Sequence, residues 1–257
     1  MNNIFNFNRF GRLFIKHTVE HYKSYLMSFG VLIGVLALGI GFFTYLNDDQ
    51  PMNMAVQTSI FAIVLVLAGT MFTSNIFADI GDQKRAISAL TLPASHFEKF
   101  LVAWLYSFLL FQVVFIAIYP LLITLILNTR HWPIRVDVFN LFYQPFTAWI
   151  LAVFAMLHGF AICGAIFFKR LHFIKTAFIF FIGLVLLTLV NKPIVEALLG
   201  TNITAAIPYG QVNLFEGYTF YSIRPSSNAD ILLYGLPWAL TLILWLAAYL
   251  RLTEKQV

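Results

Sequence analysis

Apolar residues gather in six long blocks along the chain, Tyr25–Leu46, Thr58–Phe77, Phe100–Leu127, Phe146–Phe168, Phe173–Val190 and Ile231–Leu250, with polar residues collected between them. Each block approaches the roughly 20 residues that a helix rising about 1.5 Å per residue needs to cross a hydrocarbon core of about 30 Å. A backbone in hydrocarbon must satisfy its own N–H and C=O groups, so the blocks predict six transmembrane helices and an all-α, polytopic integral membrane protein. Of the 16 basic residues, 12 fall on one side of this arrangement: Arg9, Arg12, Lys16 and Lys23, then Lys84, Arg85 and Lys99, then Lys169, Arg170 and Lys175, and finally Arg251 and Lys255. Arg130, Arg135, Lys192 and Arg224 fall on the other. The positive-inside rule then places both termini in the cytoplasm, with a bacterial inner membrane as the expected location.

Composition agrees, with 60% hydrophobic and 11% charged residues, against about 25% charged in soluble domains. The 257 residues divide into an interfacial segment, 1–24, and a single six-span domain, 25–257, leaving no stretch long enough for a soluble module. The net charge of +5 resides at span ends, where it meets lipid head groups and sets topology, so nucleic acid is not an expected partner. The single cysteine, Cys163, excludes an intrachain disulfide. The first block begins too late and runs too long for a signal-peptide core, and the first span is expected to be retained.

Before the first span, Arg9, Arg12, Lys16, Glu20 and Lys23 share one helical face and Phe10, Leu13, Phe14 and His17 a neighbouring one. This predicts an amphipathic helix on the inner membrane surface, its Phe rings in the acyl boundary. His17, Glu20 and His21 also spell H-x-x-E-H, the inverted zinc-peptidase motif. No third ligand accompanies it, and no metal site is expected.

The connection Asn75–Phe100 is the most structured of the polar segments. Gln83–Leu90 is a short helix candidate, with Ile87 and Leu90 on one side and Lys84, Arg85 and Ser88 more exposed. Pro93 ends it. Ser95 and Glu98 form S-x-x-E just before the third apolar block, the pattern of a capping box. The run Ser74–Ser107, and within it Leu92-Pro93-Ala94-Ser95 followed by Glu98-Lys99-Phe100, resembles the corresponding stretch of ABC transporter permeases of the type-2 exporter class. In outline the resemblance extends to the whole chain. It implies a permease subunit that forms a homodimer, or a heterodimer with a similar permease, and pairs with a cytoplasmic ATPase subunit. That partner would bind ATP and push on a coupling helix at Gln83–Leu90. No phosphate loop of the G-x-x-x-x-G-K-[ST] type occurs here, so this chain is expected to bind no cofactor and to catalyse nothing itself.

Between the fifth and sixth blocks, Asn191–Asp230 carries the short apolar run Ile194–Leu199, the turn Ile207-Pro208-Tyr209-Gly210, and the rings of Phe215, Tyr218, Phe220 and Tyr221. The same resemblance implies a pair of short re-entrant helices here. Within the spans, Asn75, Gln112 and His158 are candidates for a translocation path or for interhelical hydrogen bonds. Gly30 and Gly34 form a small-xxx-small pair, and Pro120 and Pro237 are bend candidates. A secondary transporter or another six-span membrane protein is the alternative reading, and a membrane zinc peptidase the third.

Overall fold

The computed structural model describes residues 5–47, 50–81, 94–141, 146–168, 171–206, 208, 210–216, 219–223 and 227–254, and of residues 78–81, 215–216 and 227–234 only the backbone. Gln83, Lys84, Arg85, Ile87, Ser88, Leu92 and Pro93 lie outside the described residues, and the expected coupling helix lies there with them. The helices are α1 (Phe7–Leu46), α2 (Met54–Gly81), α3 (His96–Trp104), α4 (Phe111–Leu127), α5 (Thr147–Phe167), α6 (His172–Leu199) and α7 (Ser227–Glu254). A π-helical segment, Leu105–Leu110, joins α3 to α4 without a break, so the three form one span. Among the described residues six helices are long and apolar enough to cross a membrane, as the apolar blocks predict.

Span four (α5) is the axis of the bundle. Over its membrane-length stretch 56% of residues are buried, against none for span five (α6). Small residues on α5 explain this: Ala152, Ala155, Gly159, Ala161, Gly164 and Ala165 are all buried and let neighbouring backbones approach. A Cβ on Gly159 would lie 3.0 Å from Leu244 Cβ of span six, and one on Gly164 only 1.6 Å from Thr176 Oγ1 of span five. Aromatic rings fill the rest. Phe61, Phe115, Tyr119 and Phe139 make one cluster, with Phe61 and Phe139 stacked 4.8 Å apart.

Three differences from the sequence reading have clear causes. The amphipathic stretch is not a separate interfacial element: Phe7–Leu46 is one helix of 40 residues, about 60 Å long, because nothing within it breaks helical pairing. Part of its apolar face is taken up by protein. Phe10, Leu13, Phe14 and Tyr25 pack on the cluster built by Phe77, Phe100, Tyr106 and Leu252 at the end of the bundle where the termini lie. The fifth span also runs past Pro193 to Leu199, with Lys192 and Glu196 paired at 3.8 Å, and stops at Gly200, whose φ of 67° is the left-handed cap that glycine tolerates.

The third difference is a small sheet in the connection between spans five and six of an otherwise helical fold. Beyond Gly200 the described residues form an antiparallel sheet, β1 (Ile203–Ala206), β2 (Val212–Glu216) and β3 (Thr219–Ile223), in the order β1-β2-β3. The segments are short, rich in β-branched and aromatic residues, and β2 and β3 are separated by the hairpin-favouring dipeptide Gly217-Tyr218. The sheet is fastened to span five, since Ile203 N–H donates to Glu196 Oε1 at 3.2 Å and Asn191 Nδ2 donates to Ala206 O at 3.2 Å.

Candidate functional site

Two polar centres stand out. The first lies where α1 meets the start of span three. Ser95 caps α3, its Oγ accepting from Glu98 N–H at 3.1 Å, while Glu98 Oε2 accepts from Ser95 N–H at 3.0 Å. The capping box expected at these two residues is thus present. Glu98 does more than cap, however. Its Oε2 also accepts from Arg9 Nε at 2.6 Å, and its Oε1 accepts from Arg9 Nη2 at 2.8 Å and from Asn6 N–H at 2.8 Å. Four donors therefore occupy the roughly four lone-pair positions of one carboxylate that has no exposed surface. The planar guanidinium fork suits this two-point contact, which a lysine could not reproduce. Asn6 in turn caps α1, its Oδ1 accepting from Asn8 and Arg9 N–H. One side chain thus secures the first turn of two helices whose partners are 89 residues apart in sequence.

The second centre lies inside the bundle. His158 of span four is fully buried between Ser107 of span three and Trp245 of span six. An indole N–H can only donate, so Trp245 Nε1–H binds the lone pair of His158 Nδ1 at 3.1 Å. The imidazole proton is thereby assigned to Nε2, which donates to Ser107 Oγ at 2.9 Å, and the Ser107 hydroxyl donates onward to Trp104 O at 3.4 Å. The π-helical turn makes this possible. Its wider winding keeps three consecutive residues, Tyr106, Ser107 and Phe108, buried together. Tyr106 points to α1, where its hydroxyl meets Thr18 and its ring stacks 5.3 Å from Tyr25, while Phe108 packs 4.9 Å from the His158 ring.

This geometry glues helices and does not activate a nucleophile. A serine–histidine pair works as nucleophile and base when the imidazole offers a lone pair to the hydroxyl, and here that lone pair is occupied by the indole. Replacing His158 by Phe preserves the ring and removes both bonds. The expected loss is on the order of 1–2 kcal/mol, since interhelical hydrogen bonds in membranes average about 0.6 and reach about 1.7 kcal/mol. Unfolding in mixed micelles followed by tryptophan emission measures it, and an unchanged midpoint would remove the structural role assigned to the contact.

His158 bonds to neither Asn75 nor Gln112; Asn75 is exposed and Gln112 half-buried, so the structure does not gather the three into one polar site. Gln57, one residue ahead of the second apolar block, is a polar anchor that sequence reasoning passed over. It is fully buried, its Nε2 donates to Met52 O and Asp137 O at 2.8 Å each, its Oε1 accepts from Phe139 N–H at 2.7 Å, and its carbonyl accepts from the Tyr119 hydroxyl. The connection after span three is thereby pinned to the far end of span two. The H-x-x-E-H residues are otherwise engaged: His17 Nε2 contacts the Tyr25 hydroxyl at 2.6 Å, His21 Nδ1 contacts His17 O at 3.1 Å, and exposed Glu20 sits 3.5 Å from Lys16. Among the described residues no group of three or more His, Cys, Asp or Glu side chains is arranged to hold a metal.

Fold and polar centres together define a six-span helical membrane protein. No protein-family model matches the chain, no curated protein matches it, and no solved structure matches its fold.

Proposed function

We propose that this chain is the membrane-spanning permease subunit of an ABC-type exporter, driven by ATP hydrolysis on a separate cytoplasmic subunit. The observation that carries the proposal is the Glu98 clamp. The connection between spans two and three, the stretch that resembles the type-2 exporters, re-enters the described residues at Ala94 and delivers the chain to Ser95. Any displacement of that connection reaches a carboxylate that secures both span three and α1. From span three the π-helical segment contacts span four through Ser107, span six through Phe108 on Trp245, and α1 through Tyr106. In this reading a push received at Lys84 and Arg85 is passed along the chain to Ser95, from which Glu98 leads to α1 and Ser107 and His158 lead to spans four and six. In this reading the basic end of the bundle is cytoplasmic, the membrane is the bacterial inner one, and two copies, or this chain and a similar permease, enclose the path.

Span one supports the paired arrangement. Gly30 and Gly34 have nothing within 4 Å of their Cβ positions, and Val31, Val35 and Leu38 beside them are exposed, so this small-residue face is unused within one chain. Mass measurement in lipid nanodiscs, after co-expression with a candidate cytoplasmic ATPase chain, tests the whole proposal. A complex of two permease and two ATPase chains that hydrolyses ATP is the expected result. A partner-free monomer that moves solute on an ion gradient would replace this reading with a secondary transporter.

A further inference from the structure

Spans two, four and five enclose a cleft of about 130 Å³ in the half of the bundle nearer the termini. Its walls are apolar, Ala161, Ala177 and Phe180 among them, and exposed Leu67 and Phe181 stand at its lateral opening. One feature of the lining is anomalous. Span two carries hydroxyls at Thr58, Ser59, Thr70, Thr73 and Ser74, and the first four donate to the carbonyl four residues earlier, the usual refuge of a hydroxyl in hydrocarbon. Ser74 does not. It is 4% exposed, and its Oγ has no hydrogen-bond partner among the described residues.

We propose that this cleft binds one acyl chain of a membrane phospholipid, with the ester carbonyl of that chain accepting the Ser74 hydroxyl. Depth fits the chemistry: Ser74 lies three residues before Phe77, the last residue of the second apolar block, and five before Asp79, so the lining passes from polar to apolar along span two as a lipid does from ester to alkyl chain. From Ser74 the cleft follows span two inward to Val66, roughly 12 Å at about 1.5 Å per residue. The lining favours hydrocarbon over water, since beyond the hydroxyls of Ser74, Thr70 and Thr176, the last two already donating to their own helices, its walls are apolar. A helix from a second copy, about 10 Å across, is too wide. Apolar cavities of about 150 Å³ take up single small hydrophobes, and a bilayer supplies alkyl chains at the opening. The site requires no ATPase partner, so it stands or falls separately from the transport reading.

The test is native mass spectrometry of the purified chain after incubation with phosphatidylglycerol vesicles, counting lipids retained on dissociation from detergent. One phospholipid per chain is expected for wild type. Ser74→Ala should weaken retention about fivefold, the weight of one net hydrogen bond, and Ala177→Leu should abolish it by filling the cleft. Leu186→Phe, on the exposed face of span five, should change nothing. An ether-linked phospholipid, which lacks the carbonyl, should bind wild type and Ser74→Ala equally. If Ala177→Leu fails to fold, Ser74→Ala and the ether lipid decide the matter. Absence of a retained lipid, or equal retention by wild type and Ser74→Ala, would overturn the assignment.

Discussion

Arg9→Met is expected to destabilise the protein more than Glu98→Gln, although both break the same ion pair. The asymmetry follows from burial. Removing Arg9 leaves a carboxylate of zero exposure with only the Asn6 and Ser95 amides for company, and an uncompensated charge out of reach of water is the costly case. Removing the charge of Glu98 leaves an arginine whose side chain is 34% exposed and can turn to solvent. Gln at position 98 also keeps an oxygen for the cap. The double variant Arg9→Met/Glu98→Gln should recover most of the loss seen in Arg9→Met alone, because it no longer strands a charge. Thermal unfolding in detergent orders the four proteins. If Glu98→Gln is the more damaging single change, the clamp matters through Glu98 packing and not through the ion pair.

Gly164→Ala is expected to dislodge span five. The added methyl would meet Thr176 Oγ1 at 1.6 Å and Thr176 Cβ at 2.7 Å, and a backbone-attached neighbour cannot clear that distance by changing rotamer alone. Overpacking of this kind typically costs about 1–3 kcal/mol. Span five has little else to hold it, since none of its membrane-length stretch is buried and it packs mainly on span four. Combining Gly164→Ala with Thr176→Gly should restore contact, whereas Gly30→Ala and Gly34→Ala, in open space, should leave the single chain unaffected. Crosslinking yield between cysteines on spans four and five reads the displacement directly. A normal yield for Gly164→Ala would contradict the close approach.

Hydropathy alone made six membrane-length helices legible, because a lipid-facing helix cannot hide an apolar requirement of about 20 residues. Ser95–Glu98 was legible for a different reason: both partners lie within one helical turn. Arg9 was not, as its bond to Glu98 spans 89 residues and the eleven other basic residues on the same side were equal candidates. The available signal was Glu98 itself, an acid abutting an apolar run, which demands a cation. His158 was singled out as a buried polar group, yet its partners Ser107 and Trp245 were beyond reach, since the π-helical turn that rotates Ser107 inward has no mark in the residue pattern. The sheet was missed because Asn191–Asp230 was weighed for membrane depth and aromatic anchoring, not for alternation and hairpin dipeptides.

The central claim is that force from ATP hydrolysis enters through the connection between spans two and three. Reversing charge at Lys84 and Arg85 together, in the chain co-reconstituted with the proposed ATPase partner in sealed vesicles at matched membrane abundance, tests it most directly. The account predicts at least tenfold weaker ATPase retention, on the order of 1.4 kcal/mol, or hydrolysis that no longer drives transport, with the thermal midpoint of the six-span fold unchanged. Full ATPase retention together with undiminished ATP-dependent transport would contradict it.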